Sequence, residues 1–301
     1  MTMTIQIENL HKAFGRHEAL CGLSLEVPEG SAYALIGANG AGKTTTIKTL
    51  MNIIQPTRGT ARILDADSRR LAVPQLRQIG YVSENQDMPA RLTVAQYLEY
   101  LRPFYPTWDG ALERSILKEL RLPLERRVGD LSHGMRMKMA LACALPFRPK
   151  VLILDEPFSG LDPLVRDEFM ERLLHQAGEM TILISSHELA EIEGVTTHVG
   201  FIDQGRLLFQ ESMAELSERF RQVRITLESP GAVPSKAPDG WLQPTVAGNV
   251  LSFVDSRFSE QTLAENIAAL FKGVKSIDVE PIALRSIFTT LARESRGGSA
   301  S

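Results

Sequence analysis

The stretch Gly37-Ala38-Asn39-Gly40-Ala41-Gly42-Lys43-Thr44 decides the fold. It meets every fixed position of the phosphate-binding pattern GxxxxGK[ST]. Its context agrees: residues 32–36 are continuously apolar or small, as in a strand buried on both faces, and the residues after the loop read as a helix. Glycines let the backbone wrap a phosphate chain with several N–H groups pointing inward, and the following helix adds the positive end of its dipole. Lys43 supplies a point charge, and the Thr44 hydroxyl is a hard oxygen of the kind Mg²⁺ prefers.

Two further runs share the character of residues 32–36. Residues 151–154, Val-Leu-Ile-Leu, lead into Asp155, Glu156 and Pro157, and residues 181–186 lead into His187. Three buried strands interleaved with helical segments argue for a parallel α/β sheet. Ligands bind at the carboxyl ends of such strands, so the loop, the two carboxylates and the histidine all fall on one sheet edge. A carboxylate buried there needs a cation: Asp155 is assigned to Mg²⁺ and Glu156 to orienting and deprotonating an attacking water. His187 is a candidate phosphate contact or transition-state stabiliser. Residues 5–10 and 23–27 alternate apolar with polar and read as half-exposed antiparallel strands.

Between the first and second buried runs, residues 92–145 are mostly helical in pattern and broken by Pro103, Pro106 and Pro123. This segment holds Tyr97, Tyr100, Phe104, Tyr105 and Trp108, which serve as core or as a docking face for a partner helix. Near its end, Leu131-Ser132-His133-Gly134-Met135 opens a helix rich in Met, Ala and Leu. Ser132 can cap that helix, and a capped start with a free glycine backbone is also an anion site.

Taken in order, residues 37–45, 131–135, 151–156, Ser159-Gly160-Leu161-Asp162 and His187 resemble the Walker A, signature, Walker B, D-loop and switch-histidine motifs of ATP-binding cassette (ABC) ATPases. The resemblance spans about residues 3–215. It implies ATP bound by Gly37, Asn39, Gly40, Ala41, Gly42, Lys43, Thr44 and Thr45, with Phe14 stacked on adenine. It implies catalysis by Glu156, His187 and Lys43, and Mg²⁺ held by Thr44, Asp155 and Glu84. It also implies a head-to-tail pair, a homodimer or a pseudo-dimer with a related cassette, in which Ser132 and Gly134 of one chain close over the other's ATP and Asp162 communicates between sites. Two departures stand out: the family's usual signature is LSGGQ where this chain has LSHGM, and Glu84 stands where the family carries the Q-loop glutamine, with Gln86 close by. Both features are similar to bacterial exporter ATPases of the antibiotic and bacitracin resistance type, which commonly carry a C-terminal extension.

The fold expected is therefore an α/β P-loop NTPase core of mixed, mainly parallel sheet with an antiparallel β subdomain and an inserted helical subdomain at about 88–147, the whole covering 1–216. A small C-terminal α+β domain follows over 217–295, then a disordered tail, 296–301. Within the C-terminal domain, residues 223–227 and the region around Leu251 and Phe253 read as strands flanking a Pro/Gly-rich loop stretch; Ser259 can cap a helix and Gly273 can end it. Thirty-three basic against 36 acidic residues, net −3, leave no basic excess for a nucleic-acid partner. Two cysteines, Cys21 and Cys143, imply no disulfide framework. The N-terminus lacks a signal-peptide pattern, and the longest apolar runs fall short of the ~20 residues that span a bilayer. A transport role then requires a separate transmembrane permease, with this chain at the cytoplasmic face of the membrane. The alternative is a regulatory cassette with weak ATPase activity and no transport role.

Overall fold

In the computed structural model, the described residues are 2–84, 86–159, 161–162, 166, 168–169, 180–188, 191–192, 194–229, 233–234 and 237–297, with side chains up to 291. The chain divides into two compact units, Met1–Gln210 and Glu211–Ser301.

The first unit opens with two long strands, β1 (Met3–Phe14) and β2 (His17–Pro28), paired antiparallel and joined by a tight turn at Gly15. Their alternation turns Ile5, Ile7, Leu10, Leu23, Leu25 and Val27 inward, which fixes the register because a one-residue slip would expose the whole set. Strands β3 (Ala32–Ile36), β4 (Arg58–Ile63) and β5 (Ala66–Asp67) follow, and β2-β1-β4-β5 form one antiparallel sheet. The second sheet runs β10-β9-β3-β8-β7-β6, with β6 at Ile79–Ser83, β7 at Val151–Asp155, β8 at Thr181–Ser186, β9 at His198–Asp203 and β10 at Arg206–Ser212. The β6–β7, β7–β8, β8–β3 and β3–β9 pairs are all parallel. Every residue of β3, β7 and β8 is buried, which explains their largely apolar sequence, broken by polar residues mainly at the strand ends.

Helix α1 (Lys43–Leu50) springs from the glycine loop. A short α2 (Val73–Leu76) precedes β6. Three helices occupy the segment read as an insertion, α3 (Val94–Leu101), α4 (Gly110–Glu119) and α5 (His133–Ala144). Thr93 caps α3 in a capping box with Gln96, Asp109 caps α4 through Ala111 and Leu112, and Ser132 caps α5 through Met135. The aromatic cluster splits in two. Tyr105 stacks on Phe147 at 4.0 Å and Trp108 Nε1 donates to Glu113 at 2.7 Å, so these two are half-buried against the rest of the segment. Tyr100 and Phe104 are 58% and 50% exposed, pack on each other at 5.4 Å, and face outward.

The second unit carries α6 (Met213–Arg219), capped by Ser212 and Glu215, so the expected boundary at 216/217 falls inside a helix. Strands β11 (Arg221–Leu227), β12 (Trp241–Ala247), β13 (Val250–Asp255) and β14 (Val274–Pro281) form an antiparallel sheet in the order β12-β13-β11-β14. Helix α7 (Glu260–Leu270) sends Leu263 and Ile267 onto Val223, Ile225, Leu251 and Phe253, with Trp241 stacked on Phe253 at 3.8 Å. Helix α8 (Leu284–Gly297) follows.

Four expectations change here. Residues 241–247, taken as part of a loop stretch, form strand β12. Its Pro244 is tolerated because β12 is an edge strand and the register shifts between Leu242 and Thr245, with Gln243 at φ 49°. Ser259 takes the N-cap position of α7 without a side-chain bond. The helix ends at Leu270, capped by Phe271, and Gly273 (φ 73°) instead makes the turn into β14. Arg296 and Gly297, read as disordered tail, belong to α8, while residues 298–301 lie outside the described residues. No described helix is long and apolar enough to cross a membrane.

Candidate functional site

The chemistry gathers where β3, β7 and β8 end. After Ile36 the chain turns through Gly37, whose N–H donates to Ser186 O at 3.3 Å, and closes a turn from Ala41 N to Ala38 O at 3.1 Å. Gly42 has φ 112°, and a Cβ there would meet Ala19 O at 2.9 Å. At Gly37 a Cβ would meet Ile202 O at 2.3 Å. Glycine at these two positions is therefore a steric requirement of the loop, not a matter of composition.

Lys43 lies buried beneath the loop. Its Nζ donates to Gly37 O at 2.6 Å and Ala38 O at 3.2 Å, and pairs with Glu156 Oε1 at 2.9 Å. The other oxygen of that carboxylate, Glu156 Oε2, is 2.8 Å from His187 Nδ1. A carboxylate accepts, so Nδ1 carries the proton. This hydrogen bond holds the His187 imidazole above the usual histidine range. Glu156 adopts φ 51°, a left-handed conformation unusual for a residue with a Cβ. Strain of that kind persists where surrounding contacts fix it, and here both carboxylate oxygens are held.

Beside this triad stands a second group. Thr44 Oγ1 donates to Asp155 Oδ1 at 3.0 Å, Ser185 Oγ donates to the same oxygen at 2.7 Å, and Glu156 N donates to Ser185 Oγ at 2.9 Å. Burial pushes the Asp155 carboxyl above its ordinary range, hydrogen bonds from Ser185 and Thr44 pull it back, and the neighbouring Glu156 charge adds to the rise. A hard cation beside Thr44 and Asp155 would offset that burial, so this donor set fits Mg²⁺. Glu84 lies across the cleft, accepting from Ser159 Oγ at 2.9 Å. Deeper still, buried Ser186 donates to buried Glu191, whose carboxyl is pushed up by burial.

Lys43, Thr44, Glu84, Glu156, Ser159 and His187 line a cleft of about 600 Å³. Of the residues expected at a nucleotide, Phe14, Asn39, Gly40, Gly42, Lys43, Thr44, Thr45, Glu84, Glu156 and His187 all border it. Phe14 stands half exposed at its mouth with Lys12 Nζ 4.8 Å from the ring centroid. Gly37, Ala41 and Asp155 support its floor from behind. Ser132, Gly134 and Asp162 are not among the lining residues; Ser132 and Asp162 are exposed. Gly160 lies outside the described residues.

Two polar contributors escaped the sequence reading, as did Ala19, which also borders the cleft. His17 borders the cleft beside Phe14, brought there only by the β1–β2 turn, where it pairs with Phe14 in register. Ser185 ties Asp155 to the Glu156 backbone. The only signal for Ser185 was a pair of serines, Ser185 and Ser186, closing an otherwise apolar strand.

The family model described as ABC transporter matches residues 20–159. The bacitracin transport ATP-binding protein BcrA of Bacillus licheniformis is 36% identical over 227 residues, 74% of each chain. The Nod factor export ATP-binding protein I of Cupriavidus metallidurans is 34% identical over 223 residues, 72% of this chain and 73% of that one. A solved ATP-binding subunit of an ABC transporter superposes with a TM-score of 0.66 at 30% identity, over 72% of this chain and 92% of its own. The glycine loop, the paired carboxylates and the histidine thus stand in a cassette whose relatives carry the same assignment: the chain belongs to the ABC transporter family, as an ATP-binding and ATP-hydrolysing subunit.

Proposed function

We propose that this chain powers export through a separate transmembrane permease, hydrolysing Mg²⁺-ATP as a head-to-tail dimer at the cytoplasmic face of the membrane. The observation that carries this reading is the Lys43–Glu156–His187 array beside the phosphate loop. Phosphate oxygens entering the loop compete with Glu156 for the Lys43 ammonium, which frees the carboxylate to orient and deprotonate a water. His187 donates its Nδ1–H to the other carboxylate oxygen and, as the imidazolium that this bond favours, donates Nε2–H to a phosphate oxygen. Thr44 and Asp155, with Glu84 opposite, would hold Mg²⁺, which supplies positive charge against the phosphates when bound. Phe14 offers a ring face to adenine.

Pairing is supported by what the cleft lacks. Ser132 and Gly134 sit at the start of α5, outside the cleft of their own chain, where they can reach a phosphate only in a second copy. A permease is supported by the outward-facing Tyr100 and Phe104, with the Phe104 carbonyl held by Arg77 Nε at 2.8 Å. Export as the direction follows the relatives that serve bacitracin transport and Nod factor export. The second unit acts as an accessory domain to the cassette.

Glu156→Gln tests the catalytic reading. Steady-state ATP turnover falls at least about 100-fold while ATP binding persists; turnover near wild type refutes the assignment of the base.

A further inference from the structure

One residue that departs from the usual signature makes a specific contact. His133 stands where the usual signature has glycine, and its Nε2 lies 2.9 Å from the backbone carbonyl of Ser159. A carbonyl can only accept, so the ring donates there. Ser159 in turn donates its hydroxyl to Glu84 Oε1 at 2.9 Å, and Glu84 donates its own N–H to Asp155 O at 3.2 Å. The string joins three segments far apart in sequence: the first residue of α5, the turn after β7 and the end of β6.

Helix formation does not explain this bond. Ser132 already caps α5 by accepting from Met135 N, and a glycine at 133 would leave that cap intact. What the imidazole adds is a tie between the phosphate-facing pair that flanks it, Ser132 and Gly134, and the cleft of its own chain, which Glu84 and Ser159 border.

We infer that His133 is a positioning residue that couples the two nucleotide sites of the dimer, fixing the signature edge offered to the partner's ATP according to how Ser159 and Glu84 are held in its own cleft. The inference rests on the paired arrangement proposed above. In a chain with the usual glycine, no side chain could make this link. Here, displacement of Glu84 in one cleft is transmitted through Ser159 to the start of α5.

The test uses the full chain with His133→Gln, which keeps an N–H donor near the Nε2 position, and His133→Leu, which keeps bulk and removes the donor. Hydrogen–deuterium exchange is followed over residues 79–84 and 131–137, and ATP binding and turnover are measured in parallel. For His133→Leu, exchange rises on the order of five-fold in both segments, as loss of one hydrogen bond implies, and turnover drops several-fold at unchanged ATP affinity. His133→Gln stays near wild type in each. A rise confined to 131–137, wild-type turnover in His133→Leu, or equal impairment of the two variants overturns the inference. Failure of the unmodified chain to turn over ATP would instead strike the proposed function, and the exchange result still decides the role of His133.

Discussion

The two units treat buried polar groups differently. In the first, Asp155 is buried and satisfied by Thr44 and Ser185, residues 111 and 30 positions away, while Lys43 reaches Glu156. In the second, Asp255 is buried and its carboxylate accepts from the N–H of Arg257, two residues on, while Ser256 Oγ donates to Gly240 O. A local bond such as that of Asp255 finishes a turn and costs little to arrange. Long-range bonding of buried ionic groups is expensive unless something other than folding requires it. The contrast separates a working cleft from a region whose buried acid closes a turn.

The sharpest way to break this contrast is Ser185→Ala. It removes the bridge between Asp155 and the Glu156 backbone, so turnover falls about 10–100-fold and unfolding free energy drops by about 1–3 kcal/mol. Chemical denaturation and a steady-state assay give both numbers, and a loss of stability with full turnover would mean the bridge is only structural. In the second unit, Asp255→Asn keeps size and an acceptor for Arg257 N, and burial holds the native carboxyl above its usual range. Stability should shift by less than about 1.5 kcal/mol with ATP binding and turnover unchanged. A ten-fold fall in turnover would erase the distinction between the units. The smallest effect concerns pH. Because the Glu156 hydrogen bond raises the His187 pKa in the fold, its contribution to stability is complete below the ordinary histidine value and fades as pH rises through the elevated one. His187 is about a third exposed, so the change as pH rises from below the ordinary histidine value through the elevated one is under about 1 kcal/mol, and His187→Ala removes it. A pH dependence identical in that variant would assign the effect elsewhere.

Much of the cleft is legible in the sequence because its parts are contiguous: a loop of fixed spacing, two acids after an apolar run, a histidine after another. Strand burial forces such runs to be apolar, and that makes their polar ends conspicuous. What stayed hidden depends on tertiary proximity. His17 reaches the cleft by strand pairing, and Ser185 looks like any buried serine until Asp155 is placed beside it. The link from His133 to Ser159 joins positions 26 apart on separate elements, so the sequence showed only that His133 was unusual. Strand β12 was masked by Pro244, whose missing N–H argues against a central strand but not against an edge strand with a shifted register. The extent of α8 was obscured by the small and charged residues near the chain end, which resemble a disordered tail in composition.

That hydrolysis belongs to a pair of chains is most directly tested by mixing two inactive variants. Glu156→Gln lacks the base but keeps the signature edge; Gly134→Asp keeps the base but sets a negative charge where phosphate must approach. Each alone should turn over ATP negligibly, and an equimolar mixture should recover roughly a quarter of wild-type turnover, because half the dimers then contain one complete site. A mixture no more active than the two variants measured separately would contradict the composite site.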